Sequence, residues 1–255
     1  MQLVAIAKLR KLQSVIESRE YALSVAQGLF DDMNDDDDIS DCTHCIVVIT
    51  SERSCCGKLN NEVLLAAKDA ISLLVDDNKR TSIVSIGWKG KDSLAVQHKS
   101  ELSHSLSYLG KSCFFLSYVV LLSILDTGYD RCTIFFSKYY KIFEQVAAVY
   151  EYKSYNIFVD SVYKRRKQNI LFDVIVSSVS VDLRNLYFYN ACIVLLDAFE
   201  ETKYSELGCR AFSMEMAHRN ATELIHEKML IYNKARQAGI TTDLLEVVAG
   251  AIYTV

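Results

Sequence analysis

Residues 45–63 read CIVVITSERSCCGKLNNEV, and a second short run, TSIVSIG, occupies 81–87. CIVVITS (45–51) and TSIVSIG are rich in β-branched residues and show no polar alternation, the pattern of strands buried on both faces. Between them, residues 61–75 place their apolar side chains at helical spacing. Strand, helix and strand in that order make a βαβ unit, which implies parallel pairing through a right-handed crossover. The fold class is α/β.

The same grain runs downstream. The apolar stretch from Cys113 to Leu125 is interrupted by Ser117 and Ser123 and falls short of the roughly 20 residues that cross a bilayer, so a buried helix or strand is expected there. RCTIFFSKYY (131–140), EQVAAVYEYKSYNIF (144–158) and a connection holding Lys164, Arg165, Arg166 and Lys167 complete the segment. An open, helix-flanked, mostly parallel sheet is expected over 42–180.

Both flanks carry a different period. Leu3, Ile6, Leu9, Leu12, Ile16, Leu23, Ala26 and Phe30 recur mostly at spacings of three and four, which predicts one amphipathic helix over 1–30. Lys8, Arg10 and Lys11 precede any acid, but no small-residue cleavage site follows, so the segment is read as mature helix and not as a presequence. The acidic run Asp31, Asp32, Asp35, Asp36, Asp37 and Asp38 predicts a solvated loop over 31–41, without the alternating ligands or central glycine of a calcium loop. From Asp182 the helical period returns and lasts to the end, through Leu207, Met214, Leu224, Met229, Tyr232, Leu244 and Val248. Two long helical ends suggest an antiparallel coiled-coil shaft of 1–30 and 182–255, with the α/β domain inserted between them. Gly208, Gly239 and Gly250 are its weak points, each costing about 1 kcal/mol relative to alanine.

Composition narrows the function classes. The 255 residues include no proline and 9 glycines, which excludes collagen and proline-rich linkers. At 51% hydrophobic and 24% charged, the chain has globular composition. A net charge of −4 provides no basic field for nucleic acid. Eight cysteines in a chain of this length fall below the density of a disulfide scaffold and suggest a reducing compartment.

Candidate chemical motifs fail on inspection. Gly57-Lys58 follows a strand, as in a phosphate-binding loop, but Glu52 stands where the first glycine belongs and Leu59 replaces the hydroxyl that would meet magnesium. Cys42, Cys45, Cys55 and Cys56 lack a second C-x-x-C, and the adjacent pair cannot easily aim both sulfurs at one zinc ion, so structural thiols are expected. Cys55 or Cys56 near a helix N-terminus would suit a nucleophile, yet no histidine is marked as its base. In IYNKARQAGITTDLLEVVAGA (231–251), the density of Asn233, Lys234, Arg236, Gln237, Thr241 and Thr242 fits either an exposed helix face or a polar contact with a partner.

Three separated motifs carry a resemblance to one family. ITSERSCCGKLNNEV (49–63) resembles a strand ending in V-T-S-D-R-G-L-C-G and an asparagine-bearing helix start, with Arg53, Cys56 and Gly57 kept, Glu52 in place of aspartate and Ser54 in place of glycine. MQLVAIAKLRK is similar to K-M-V-A-A-A-K-L-R on a first helix, and residues 219–251 resemble an ending built on Y-N-R-x-R-Q-A-x-I-T-x-E-L. By these motifs the whole chain resembles the γ subunit of F-type ATP synthases.

The resemblance implies a central rotor shaft inside a ring of α and β subunits. Its α/β foot would meet the small central-stalk subunits (delta and epsilon) and the membrane c-ring, without itself spanning the membrane. It implies no catalytic residues, and ATP, ADP and magnesium held by partner subunits. Arg236 and Gln237 would catch a β-subunit loop, with Thr241 and Thr242 beside them and Lys8 and Arg10 on the facing helix. Arg53, Cys56, Gly57 and Asn60 would form the family's turn.

Family members begin several turns earlier, so Met1 stands where an internal residue normally lies: either the chain is numbered from an internal methionine, or the first helix is truly short, which would leave the upper C-terminal helix unpaired. The lack of a plastid-type cysteine insertion, with the thiol- and tyrosine-rich composition, points to the matrix side of a mitochondrial inner membrane. Two other readings stay open on the residues alone: a coiled-coil scaffold with an α/β head, and a cysteine-dependent α/β enzyme.

Overall fold

The computed structural model describes residues 3–13, 42–53, 56–76, 79–107, 113–141, 144–166 and 180–253. It comprises two compact units, Met1–Ala211 and Phe212–Val255. Residues 14–30 of the helix expected over 1–30, the acidic run, Cys55 and Lys167 lie outside the described residues.

The first unit contains helix α1 over 3–13, then β1 (His44–Ile49), α2 (Leu59–Asp76), β2 (Thr81–Ile86), α3 (Trp88–Gln97), β3 (Leu102–Leu106), α4 (Phe114–Leu125), β4 (Arg131–Lys141), β5 (Glu144–Lys153), α5 (Tyr155–Arg166) and the first part of α6 (Ser180–Tyr253). The five strands lie in the order β3-β2-β1-β4-β5. β1 pairs in parallel with β2 and β4, β2 in parallel with β3, and β5 closes one edge antiparallel to β4. The βαβ unit stands as its β-branched runs predict.

Alternation along the strands divides the core between the two faces of the sheet. Val47, Ile49, Val84, Ile86, Ile134 and Phe136 pack on one face with Val120, Leu121 and Ile124 of α4 and with Leu195, Ala198 and Phe199 of α6. Ile46, Val48, Ile83 and Phe135 pack on the other with Val63, Ala67 and Ile71 of α2 and Leu94 of α3. Because both faces are covered, β1 has no polar side to expose, and after His44 its sequence is correspondingly apolar. Each such aliphatic side chain contributes about 1.5–3 kcal/mol on burial.

Two elements escape the sequence pattern. Helix α3, WKGKDSLAVQ, is mostly polar and buries only Gly90 and Leu94, and β3, LSHSL, alternates partly buried and exposed positions at the sheet edge. The stretch 113–125 is only half buried as a helix: Ser117, Val120, Leu121 and Ile124 face the sheet, while Phe114, Phe115, Tyr118 and Leu122 are exposed.

Helix α6 is tied to the edge strand by a tyrosine ladder. Tyr150 donates to Asp197 Oδ2 at 2.9 Å, Asn190 donates to the Tyr152 hydroxyl at 2.7 Å, and Tyr187 donates to the Lys153 carbonyl at 2.6 Å. Tyr129 in turn reaches the Tyr187 hydroxyl at 3.1 Å. These bonds satisfy polar groups that would otherwise be buried unpaired, and they give the tyrosine-rich composition a structural use.

The second unit is the remainder of α6. Every residue from Met216 to Ile252 is exposed, including Leu224, Met229, Tyr232, Leu244 and Val248. The seam predicted from periodicity is helical, with its apolar side chains facing solvent in the isolated chain.

Candidate functional site

The turn after β1 is built by two hydrogen-bonding side chains. Ser51 N–H donates to Asn60 Oδ1 at 3.0 Å, and Asn60 Nδ2 donates to Ser51 Oγ at 2.8 Å. Ser51 Oγ donates onward to the Arg53 carbonyl at 3.0 Å, which also accepts from Cys56 Sγ at 3.3 Å. Gly57 closes the turn with φ of 59°, a backbone state that costs glycine little. The predicted motif residues Cys56, Gly57 and Asn60 therefore come together with the Arg53 backbone, while the Arg53 side chain is exposed.

This turn lies at the point where strand order reverses, with β2 and β3 on one side of β1 and β4 on the other. Open α/β sheets bind their ligands outside the carboxyl ends of strands at such a switch point. Here the space is filled from α6: Cys56 and Leu59 form a buried cluster with Cys209. Arg210 Nη2 reaches Cys56 Sγ at 3.5 Å and pairs with Glu206. Burial, aided by the Glu206 charge, pushes the Cys56 thiol above its ordinary pKa, and burial pushes Cys209 to about 12. Thiols held protonated in this way are poor nucleophiles. Cys56 itself is buried, at 3% exposure, and Cys55 lies outside the described residues. Among the described residues, no cluster of three or more His, Cys, Asp or Glu side chains is placed to hold a metal ion.

Next along the sheet, Thr50 fixes the entry to α3. Its hydroxyl donates to the Ile86 carbonyl at 3.0 Å and accepts from Gly90 N–H at 2.9 Å. Gly87 has φ of +97°, and a side chain there would run into the Thr50 carbonyl. Sequence reasoning missed Thr50, Gly87, Glu206, Cys209 and Arg210; the nearest signal was a glycine directly after a buried strand.

The other predicted residues are dispersed. Lys8 and Arg10 are exposed on α1, and Arg236, Gln237, Thr241 and Thr242 are exposed on α6. The Thr241 and Thr242 hydroxyls donate back to the carbonyls of Gln237 and Ala238, at 2.8 and 3.0 Å. Their protons are committed within the helix, and their oxygens remain as acceptors. Of Lys164–Arg166, the structure describes only the helical backbone of α5. Among the described residues, no helix is long and apolar enough to cross a membrane.

Fold and turn together define a doubly wound α/β unit, its switch-point crevice plugged by a long C-terminal helix. The sequence model of the ATP synthase family matches residues 1–252, and the chain belongs to that family, among its gamma chains. The ATP synthase gamma chain of Bartonella tribocorum is 28% identical over 98% of this chain and 92% of its own length. That of Bartonella henselae is 30% identical over 98% and 91%.

Two solved structures share the fold. One, at 20% identity and a TM-score of 0.76, is from the rotor of the Euglena gracilis mitochondrial ATP synthase, covering 94% of this chain and 91% of that one. The other, at 16% identity and a TM-score of 0.68, is from the central stalk and c-ring of the Tetrahymena thermophila mitochondrial ATP synthase, covering 86% and 97%.

Proposed function

We propose that the chain is the central-stalk rotor subunit of a proton-translocating F-type ATP synthase, coupling c-ring rotation to conformational change in the catalytic ring of α and β subunits. The observation that carries this reading is the match to the family across residues 1–252. In this role the chain holds no catalytic residues and binds no cofactor directly; ATP, ADP and magnesium sit on the partner subunits. Its partners are the α and β subunits, the small central-stalk subunits and the c-ring, on the matrix side of the mitochondrial inner membrane. The coiled-coil shaft comprises 1–30 and 182–255, and 42–180 is the foot.

The physics of the role is differential contact. A rotor changes the state of three otherwise equivalent sites only by touching each one differently at a given angle. Exposure of every residue from Met216 to Ile252 supports a helix whose apolar and polar faces meet other subunits. Arg236 and Gln237 on that helix would catch a β-subunit loop, through hydrogen bonds of about 1.5–3 kcal/mol where a charged group takes part. Lys8 and Arg10 would add cations on the facing helix, with Thr241 and Thr242 beside the pair as acceptors. Arg53, Cys56, Gly57 and Asn60 serve the fold of the foot.

Affinity isolation of the tagged chain from its source tests the reading. Co-isolation with ATP synthase α and β subunits is expected. Recovery alone, or with cytoskeletal proteins in their place, would overturn it in favour of a scaffold.

A further inference from the structure

The last turns of α6 within the first unit are held in an unusual way. From Asn190 to Ala211 no residue of the helix is exposed. The contacts at its end come from different directions. β4 pairs with β1 only as far as Phe135 and then runs on to Lys141. Beside that overhang, Ser205 Oγ donates to the Ser137 carbonyl at 3.0 Å. One turn on, the Tyr139 ring lies so close to Gly208 that an added Cβ would stand 2.5 Å from Cε2. Tyr204 braces the same ring edge-on, with centroids 5.0 Å apart. Cys209 packs on Cys56 and Leu59 after β1, and Arg210 reaches Cys56 Sγ while paired to Glu206.

Successive residues of an α-helix are turned by about 100°, so contacts at Gly208, Ser205, Cys209 and Arg210 span about 200° of the circumference. A helix resting on one apolar stripe is free to roll, because dispersion contacts have little directional preference. One gripped over more than half its girth is not: a hydrogen bond to Ser137, a ring seated on a glycine and an arginine reaching Cys56 Sγ at 3.5 Å each fit a single azimuth. Gly208, a weak point by helix propensity, is the notch that admits the ring.

Resting on the rotor reading above, we propose that Ser205, Gly208 and Arg210, with Tyr139 and Cys56 opposite them, form the rotational lock through which torque passes between α6 and the sheet of the foot. These are positioning residues. They touch no nucleotide, and they set how much of the shaft's rotation the foot shares.

The test uses the assembled enzyme in vesicles, measuring ATP hydrolysis and ATP-driven proton uptake together. Tyr139→Ala combined with Ser205→Ala is expected to keep hydrolysis near wild type while protons moved per ATP fall. Tyr139→Phe keeps the ring over Gly208 and is expected to keep the wild-type ratio. An unchanged ratio in the double variant would overturn the lock alone. Should that variant fail to assemble, Gly208→Ala displaces the ring by one methyl group and is expected to lower the ratio in the same direction; an unchanged ratio there would overturn the lock equally. Failure of the wild-type chain to assemble with α and β subunits would instead overturn the rotor reading on which the lock rests.

Discussion

Asn60 and Ser51 hold each other across the turn after β1, the amide accepting from the Ser51 N–H at 3.0 Å and donating to its hydroxyl at 2.8 Å. Ser51 is fully buried, so Asn60→Ala would strand its backbone N–H without a partner. A loss of about 1–3 kcal/mol in unfolding free energy is expected, the cost of an unsatisfied buried donor. Urea denaturation of the purified subunit measures it. Asn60→Asp keeps the acceptor and is expected to lose less.

Gly87 sits at φ +97° with the Thr50 carbonyl where a Cβ would go. Gly87→Ala therefore combines backbone strain with a clash, and at least about 1–3 kcal/mol of destabilisation is expected. A melting temperature equal to wild type would contradict the Thr50–Gly87 geometry.

His44 at the start of β1 provides the pH dependence. Burial first, then the Lys79 and Arg131 cations, hold its pKa below the ordinary 6.5, against the opposing pull of Asp130 and Glu151. The unfolded chain accordingly binds a proton that the folded chain resists. This contribution to stability is complete above pH 6.5 and declines as the pH falls through that value. Melting curves between pH 7.5 and 5 are expected to show a drop that His44→Gln makes shallower.

Arg236 and Gln237 are exposed on α6. Substituting both by alanine is expected to leave the subunit's circular dichroism and melting unchanged. Coupled ATP turnover of the assembled enzyme is expected to fall about tenfold if one charge-assisted bond near 1.5 kcal/mol is lost at the rate-determining step. Wild-type turnover in the double variant would remove the pair from the mechanism.

The reach of local pattern is visible element by element. Periodicity over 61–75 found α2, which runs Leu59–Asp76, and the period from Asp182 found α6, which starts at Ser180. β1 and β2 were legible because strands covered on both faces carry runs such as Ile46–Ile49 and Ile83–Val84 with no alternating polar side. α3 and β3 were not, because each buries too little to leave a period in its sequence. The motif turn was legible through Cys56, Gly57 and Asn60. Its closure by Cys209 and Arg210 was not, since Arg210 stands 154 residues from Cys56 along the chain.

By itself, then, the sequence determined the type of its strongly patterned elements, the α/β class and the family, since these follow from spacing, from β-branched runs and from three ordered motifs. Tertiary structure alone decided the strand order, the plug in the switch-point crevice and the grip around Gly208. Each of those depends on groups distant in sequence meeting at one place, where burial raises the thiols and a missing Cβ admits a ring. A glycine that local propensity counts as a weakness in a helix becomes, once Tyr139 lies against it, the position that sets the helix's angle.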